Sequence, residues 1–283
     1  MIVKKRLLSA LILLLTIMSF IWFQNNSITI SQTVIRSENL PANFDQFKIV
    51  HLSDLHNKSF GHNQQRLVRK INKLQPDIVV FTGDLIDSKR AGDRASLQLM
   101  KELTSSVPVY YVSGNHEWWS GKFDTLEQSL KAAGVHVLRN EHAIVEKKNE
   151  KIYVAGIDDP AHNSEGFAER EIAKTDLIHS LEGMEEDPFT ILLTHRPELL
   201  SLYATFDLDL VFAGHAHGGQ VRLPFIGGVV APNQGFLPEY TAGRHELDQT
   251  QMIVSRGLGN SIIPLRMFNR PEIVAVTLEV VKE

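Results

Sequence analysis

The sequence contains no cysteine. Disulfide bonds and thiolate metal sites are therefore excluded, and any bound metal must be held by His, Asp, Glu or Asn side chains. Such nitrogen and oxygen ligands suit manganese, iron, zinc or nickel better than an ion that prefers thiolates. The absence of cysteine fits any compartment, and it is easiest to understand outside the cytosol, where a free thiol is a liability.

A basic excess is also missing, because the formal net charge of the 283 residues is −4. A broad nucleic-acid surface usually shows as a basic excess, so we expect no nucleic-acid partner. Internal repeats and low-complexity segments are absent as well. Hydrophobic residues make up 43% of the chain, which is typical of a globular protein with a core.

Long apolar runs are missing except at the N-terminus, where 17 residues from Leu7 to Phe23 form one. This length is near the lower limit for a membrane-spanning helix. A cleaved signal peptide and an uncleaved anchor are both compatible with such a run. We favour the anchor, because no A-x-A-like cleavage site follows and Trp22 suits a membrane interface.

The basic cluster at residues 4–6 precedes the apolar run and should stay in the cytoplasm. We therefore expect a single-pass protein of the cell membrane with its catalytic domain outside the cytoplasm. Secretion after signal cleavage remains the alternative. The expected division is an anchor or signal segment over residues 1–24, a linker with a possible edge strand over residues 25–45, and one large domain over residues 46–283.

From residue 47 onward the hydrophobic pattern alternates between strands and helices. Strands are predicted at 47–52, 77–81, 107–112, 152–157, 189–193 and 210–213, and helices at 64–74, 94–103 and 123–133. Beyond His217 the pattern predicts strands only, at 220–223, 239–247, 251–254 and 273–280. This order favours two packed sheets flanked by helices, with ligands bound at the carboxyl ends of strands.

Five polar clusters follow predicted strands. They are Asp54-Leu55-His56, Gly83-Asp84-Leu85-Ile86-Asp87, Gly114-Asn115-His116-Glu117, His195 and Gly214-His215-Ala216-His217. D-x-H alone is expected about 0.6 times by chance, whereas G-N-H and G-H-x-H are each expected fewer than about 0.05 times. A row of buried carboxylates and imidazoles is costly without compensation, and metal ions supply that compensation.

The five clusters in this order resemble the signature of the calcineurin-like metallophosphoesterases, from Asp54 to His217. The resemblance implies an α/β (α+β) fold, a four-layer αββα sandwich of two mixed sheets flanked by helices, here with an N-terminal membrane helix. The sequence segments 214–220 and 156–159 further resemble those of a bacterial branch of membrane-associated or exported phosphodiesterases. That branch includes enzymes similar to UDP-2,3-diacylglucosamine pyrophosphatases.

The resemblance also implies two divalent metal ions, with manganese the one most expected to support activity in vitro. One ion would be held by Asp54, His56, Asp84 and His217, and the other by Asp84, Asn115, His195 and His215. Asp84 would bridge them. Two cations about 3.5–4 Å apart can clamp a phosphate ester and activate water.

His116 is the one imidazole of the motifs that the resemblance leaves without a metal. It looks like the residue that contacts the phosphate or protonates the leaving oxygen. Asp87 would then orient His116 and raise its pKa, although a turn or helix N-cap role for Asp87 is equally open. In the protein Ser/Thr phosphatase branch an Arg follows the second Asp, whereas here Ser88 does, which counts against a phosphoprotein substrate.

Three functions follow from these features. The first is a phosphodiesterase or pyrophosphatase acting on a lipid-linked or cell-envelope substrate. The second is a phosphomonoesterase acting on a small exported metabolite, and the third is an inactive membrane-anchored binding module. The apolar residues Trp118 and Trp119 and the segment 225–230 favour an apolar ligand surface near the site. Packing of these residues against the second sheet is the alternative.

Overall fold

The computed structural model describes residues 2–90, 92–163, 168–260 and 265–281. Its α-helices are α1 (Ile2–Asn26), α2 (Gln65–Leu74), α3 (Arg94–Thr104), α4 (Asn115–Trp119), α5 (Phe123–Ala132), α6 (Glu169–Leu181) and α7 (Leu200–Tyr203). Its strands are β1 (Thr29–Ser37), β2 (Lys48–Leu52), β3 (Ile78–Thr82), β4 (Val109–Val112), β5 (His136–Val137), β6 (Glu141–Lys147), β7 (Glu150–Gly156), β8 (Thr190–Leu193), β9 (Leu210–Ala213), β10 (Arg222–Leu223), β11 (Gly227–Gly228), β12 (Val230–Ala231), β13 (Gly235–Phe236), β14 (Gly243–Leu247), β15 (Thr250–Val254) and β16 (Glu272–Val280).

Two six-stranded mixed sheets form the centre of the molecule. The first has the order β1-β16-β2-β3-β4-β5, in which only the β16–β2 pair is antiparallel. The second has the order β14-β15-β9-β8-β7-β6, with antiparallel pairs at its two edges. The central strands of both sheets are therefore parallel, and their carboxyl ends lie at one edge.

Three apolar clusters show that the sheets and helices form four layers. Val80 and Phe212 belong to the cluster between the two sheets. A second cluster packs α2, α3 and α5 on the outer face of the first sheet, with Phe81 at its centre. A third packs α6 and α7 on the outer face of the second sheet, with Val211 among its members. The predicted αββα sandwich of two mixed sheets is confirmed.

Several elements differ from the pattern predicted from sequence. Helix α6 was not predicted, because its inward face carries a buried carboxylate: Asp176 accepts hydrogen bonds from Asn140 (2.9 Å) and contacts His162 (2.8 Å). Strand β6 was also missed, since it is a half-exposed edge strand. The strand predicted at 220–223 is reduced to the two residues of β10. No α-helix follows His217 in the described part of the chain, as predicted.

Helix α1 is long and apolar enough to cross a membrane. Within Lys4–Asn26, an 18-residue window has a mean hydropathy of 2.2, and 6% of that window is buried in the protein. At 1.5 Å per residue, the 25 residues of α1 span about 37 Å, which exceeds the roughly 30 Å hydrocarbon core of a bilayer. A signal sequence would have the same character, so the helix alone does not distinguish an anchor from a signal peptide.

The segment 25–45, expected as a linker with a possible edge strand, contributes β1 to the first sheet. Strand β1 pairs in parallel with β16 at nine positions. Only Ser27 and Ile28 separate the end of α1 from β1, and Ile28 is buried. The apolar helix is therefore joined to the domain by a connection of only two residues.

Candidate dinuclear metal centre

All five polar clusters lie at the carboxyl ends of strands β2, β3, β4, β8 and β9. The nine residues predicted for the site are buried there, each at most 7% exposed: Asp54, His56, Asp84, Asp87, Asn115, His116, His195, His215 and His217. The two packed sheets bring these strand ends together from sequence positions far apart. The structure therefore brings the nine predicted residues together at one edge of the sheets.

A first group of side chains comprises Asp54, His56, Asp84 and His217, whose donor atoms all lie within 4.8 Å of one another. The Nε2 atom of His217 is 3.0 Å from Nε2 of His56 and 3.2 Å from Oδ1 of Asp54. Nε2 of His56 is 3.5 Å from Oδ2 of Asp84. Two imidazole nitrogens and two carboxylates thus converge on one point.

A second group comprises Asp84, His195 and His215. Nε2 of His195 is 3.4 Å from Oδ2 of Asp84 and 3.2 Å from Nδ1 of His215. Asn115 is buried beside this group, because the next residue, His116, donates its backbone N–H to Oδ1 of Asp84 at 2.9 Å. Asp84 belongs to both groups and therefore stands between them.

The backbone is left-handed at five of these positions. The φ angles are +53° at Asp54, +49° at His56, +53° at Asp84, +63° at His215 and +47° at His217. A non-glycine residue held in this region costs on the order of 1–3 kcal/mol, and such strain is concentrated at functional sites. These strained backbone conformations thus direct the five side chains into the site.

The motif glycines are required by close approach between the loops. A Cβ atom on Gly114 would lie 2.4 Å from Oδ1 of Asp84, and one on Gly83 would lie 2.7 Å from Nδ1 of His195. A Cβ atom on Gly214 would lie 1.9 Å from Oγ of Ser53. No real side chain tolerates these separations, so the glycines allow the five loops to meet.

The donor set fits two divalent cations. Among the described residues, two buried oxygens of the cluster have no hydrogen-bond partner: Oδ1 of Asp54 and Oδ1 of Asn115. Buried polar atoms are normally paired, and such exceptions in one place call for an explanation. Carboxylate and amide oxygens together with imidazole nitrogens are the ligands of manganese, iron, zinc and nickel sites.

Burial also sets the protonation of the imidazoles. It lowers the pKa of His56 to about 3 and lowers the pKa of His215 and of His217 well below the usual value. These three rings are therefore neutral near pH 7, which is the form that binds a metal. Burial also lowers the pKa of His195, but the Asp84 carboxylate outweighs burial and raises it to about 10, which shows how strongly this anion favours a cation beside it.

His116 is oriented by a backbone group. The N–H of Ser88 donates to Nδ1 of His116 at 3.0 Å, which places the ring proton of a neutral His116 on Nε2. The predicted orienting role of Asp87 stays a prediction, since a carboxylate oxygen of Asp87 and a ring nitrogen of His116 lie within 4.8 Å of each other. The Asp87 carboxylate also accepts from the Arg90 side chain and from the backbone N–H groups of Lys89 and Arg90. Burial would raise the pKa of Asp87, but the hydrogen bonds with Arg90 prevail and lower it to about 2.

Glu117 is a supporting residue of the site, and no role was predicted for it from sequence. Its Oε2 accepts the backbone N–H groups of Asp84 (2.8 Å) and Gly114 (2.7 Å), and its Oε1 accepts that of Ile86 (3.0 Å). Burial raises the pKa of Glu117 to about 8, while the N–H donors act in the opposite direction. Its position in the G-N-H-E cluster is the signal that could have identified Glu117. Its carboxylate joins the loop that contains Asp84 to the loop that contains Gly114.

Asn269 and Arg196 support the histidine loops from more distant parts of the chain. The Asn269 amide donates to the carbonyl oxygens of His217 (2.7 Å) and Gln220 (3.0 Å), which holds the left-handed turn at His217. Arg196 forms two hydrogen bonds with Asp159, and its Nη1 lies 3.3 Å from Nε2 of His215. Asp159 is the last residue of the sequence segment 156–159. The positions of Asn269 and Arg196 in the sequence, in contrast, did not point to the site.

The apolar residues noted near the site separate into two kinds. Trp118 packs against Phe123 and donates its Nε1–H to Ser113, so it belongs to the protein interior. Trp119 is largely exposed, and its ring lies 5.4 Å from that of His116. Phe225 is fully exposed. Packing therefore explains Trp118, and Trp119 and Phe225 remain on the surface.

Comparison with known proteins relates the chain to phosphoesterases. Residues 47–219 match the calcineurin-like phosphoesterase domain. The uncharacterized metallophosphoesterase YkuE of Bacillus subtilis is 30% identical over 91% of this chain and 88% of its own length. A transmembrane protein with metallophosphoesterase domain from Bos taurus is 32% identical over 85% of this chain, which spans about half (54%) of the cattle protein.

The solved structure of TT1561 from Thermus thermophilus has a similar fold, with a TM-score of 0.52 at 14% identity over 75% of this chain and 90% of that protein. At this identity the likeness supports the fold alone. These relatives do not confirm the narrower similarity to UDP-2,3-diacylglucosamine pyrophosphatases, which stays a prediction.

The contacts of Glu117 generate a test of how the site is supported. In Glu117→Gln, the amide nitrogen would face backbone donors and leave at least one buried N–H unsatisfied, which costs about 1–3 kcal/mol. We expect a lower melting temperature and fewer metal ions per chain, measured by thermal unfolding and elemental mass spectrometry. The exposed Glu146→Gln is the matched control. Unchanged metal content in Glu117→Gln would show that the loops hold together without this carboxylate.

Proposed function

Because this chain belongs to the calcineurin-like phosphoesterase family and is a metal-dependent phosphoesterase, we propose that it is a phosphodiesterase or pyrophosphatase with a two-metal site and a lipid-linked or cell-envelope substrate. The observation that carries the two-metal site is the position of Asp84. This carboxylate is 2% exposed and shared by two groups of donors. A carboxylate suits a bridge between two cations because it has two oxygens.

The donor groups define which residues would hold each ion. The first ion would be bound by Asp54, His56, Asp84 and His217, and the second by Asp84, Asn115, His195 and His215. The loss of any one ligand would weaken the binding of an ion that compensates the buried carboxylates, which is why the set is expected to work as a unit. Manganese, iron, zinc and nickel all accept these donors.

When bound, the two cations would polarise the phosphoryl oxygens and lower the pKa of a water molecule. His116 supplies a different function. Because its Nδ1 accepts the Ser88 N–H, a neutral His116 carries its ring proton on Nε2, the atom that would donate to the phosphoryl group or the leaving oxygen. The exposed ring of Trp119 lies against His116, so substrate groups beyond the ester would meet an apolar surface there.

A substrate larger than phosphate is supported by a cleft that borders the site. This cleft has a volume of about 540 Å³ and includes Asp87 and Ser88 in its wall. Lys89 and Lys122 also line it. Two ammonium groups suit the second phosphate of a pyrophosphate or the anionic part of a diester substrate. The apolar helix α1 would keep this cleft near a bilayer, which supports an envelope substrate.

The membrane placement completes the proposal. The basic residues Lys4, Lys5 and Arg6 precede the apolar run and favour a cytoplasmic N-terminus. The domain that follows would then face the outside of the cell as part of a single-pass membrane protein. The complete set of predicted ligands and His116 counts against an inactive binding module.

The proposed reaction is tested with the full chain purified in detergent and stripped of metal. We expect Mn²⁺ to restore cleavage of bis-p-nitrophenyl phosphate, and we expect Asp84→Asn to abolish it, because the shared carboxylate is lost. Parallel assays with p-nitrophenyl phosphate measure monoester cleavage. A strong preference for the monoester would contradict the diesterase proposal and favour a phosphomonoesterase, and no turnover of either ester with metals bound would contradict both.

The role of His116 is tested separately. In His116→Asn we expect kcat for the diester to fall by a factor of about 10²–10⁴, the usual contribution of a proton-transfer group. Metal content should not change, because His116 is not among the proposed ligands. The exposed His179→Asn is the matched control and should behave like the unaltered chain. Loss of metal from His116→Asn would instead make His116 a ligand.

A further inference from the structure

We propose that an apolar surface of the catalytic domain inserts into the membrane leaflet on the side of the domain. This surface, here called the apolar rim, consists of Leu223, Phe225, Ile226, Phe236, Leu237 and Phe268. All six side chains are exposed. The rim would be a second membrane contact besides α1. This inference is drawn from the packing of the domain and does not depend on which ester the enzyme cleaves.

The exposure of the rim is unusual for residues of this kind. Phe225 is fully exposed and Phe236 is 83% exposed. Exposed apolar side chains that are scattered singly need no explanation, but contiguous ones mark an interaction site. The question is therefore whether the six residues belong to one surface.

Backbone hydrogen bonds show that the three segments of the rim are neighbours. Residues 223–226 form the turn of the β10–β11 hairpin, whose following residue Val229 donates its N–H to the Val221 carbonyl at 3.0 Å. Leu237 donates to the Val229 carbonyl at 2.9 Å. Arg222 donates to the Met267 carbonyl at 3.0 Å, next to Phe268. One network thus joins both hairpins to the segment before β16 that carries Phe268.

The rim touches the apolar helix within its membrane-spanning part. The ring of Phe268 packs edge-to-face on the ring of Phe20, with centroids 5.8 Å apart. Phe20 lies inside the apolar run that ends at Phe23. The guanidinium of Arg270 lies 5.3 Å from the Phe23 ring, where a cation can reach the headgroups while its stem stays on apolar surface. If Phe20 is in the bilayer, Phe268 is at the same depth.

The junction between helix and domain keeps this contact in place. The carbonyl of Asn26 accepts from Arg66 at 3.0 Å, and the Asn25 amide accepts from Asn260 at 2.8 Å. Ile28 is buried immediately afterwards. Because no flexible linker separates α1 from the domain, the rim stays next to the bilayer that α1 would span.

Basic side chains at this junction favour a bilayer over a protein partner. Arg66 binds Asn26 at the end of α1, and Arg270 binds Ser27 immediately after it. Cations at the edge of an apolar surface attract anionic lipid headgroups. Continuity with the membrane helix and this charge together identify a lipid surface as the partner.

The same junction places the candidate metal centre close to the headgroups. Asn260, which binds the end of α1, also accepts a hydrogen bond from Arg90 at its carbonyl oxygen, and Arg90 binds Asp87. The neighbouring Gly259 donates to the Asp54 carbonyl at 2.6 Å. If the proposed function holds, phosphate esters in lipid headgroups would reach the site without leaving the membrane surface.

The insertion of the rim can be measured without reference to catalysis. Because the chain has no cysteine, Phe225→Cys, Phe236→Cys and Phe268→Cys each give a single site for a nitroxide label. The full chain is reconstituted in vesicles that contain anionic lipid, and electron paramagnetic resonance measures collisions with oxygen and with a water-soluble relaxation agent. Leu14→Cys in α1 is the reference for the bilayer, and Lys148→Cys in the exposed β6–β7 turn is the reference for water.

We expect the ratio of oxygen to aqueous accessibility at the three rim sites to shift toward the value at Leu14. A ratio equal to that at Lys148 at all three sites would overturn the proposal. Exclusion of both reagents, with dipolar broadening between labels, would identify a second copy of the chain as the partner and would also overturn it. An inactive enzyme would leave these outcomes unchanged, so the failure of the rim and the failure of the proposed function are distinguishable.

Discussion

The burial of the Asp84 carboxylate among imidazoles is the constraint on which the rest of the site depends. An anion at 2% exposure needs cationic partners, and the surrounding rings of His56, His215 and His217 are kept neutral by the same burial. Two divalent cations would resolve this conflict, since they would compensate the carboxylates and would take the neutral nitrogens as ligands. The left-handed backbone of five ligand positions is the structural cost of this arrangement.

The placement of the site relative to helix α1 follows from how the chain enters the domain. Helix α1 continues to Asn26, and β1 begins at Thr29 as the edge strand beside β16. The residues after β15 and before β16 then bind both the end of the helix, through Asn260, and the loop of the first motif, through Gly259. Helix α1 and the candidate metal centre are thus held by one short segment.

Local patterns predicted much of this structure, and their limits are physical. The motif residues could be located because strand ends in parallel sheets meet at one edge, whatever their separation in sequence. Helix α6 could not be predicted in this way, since the buried Asp176 interrupts its apolar face. The orientation of His116 by Ser88, and the support of His217 by Asn269, depend on backbone contacts between distant segments that no spacing encodes. The metal identity also lies outside the pattern, because several ions accept the same donors.

Anomalous diffraction from crystals grown with Mn²⁺, recorded on both sides of the manganese absorption edge, tests the two-metal site most directly. The account predicts two peaks that share Asp84 as a ligand, one beside His56 and His217 and the other beside His195 and His215. The expected separation is about 3.5–4 Å. A single peak, or two peaks that do not share Asp84, would contradict the dinuclear site.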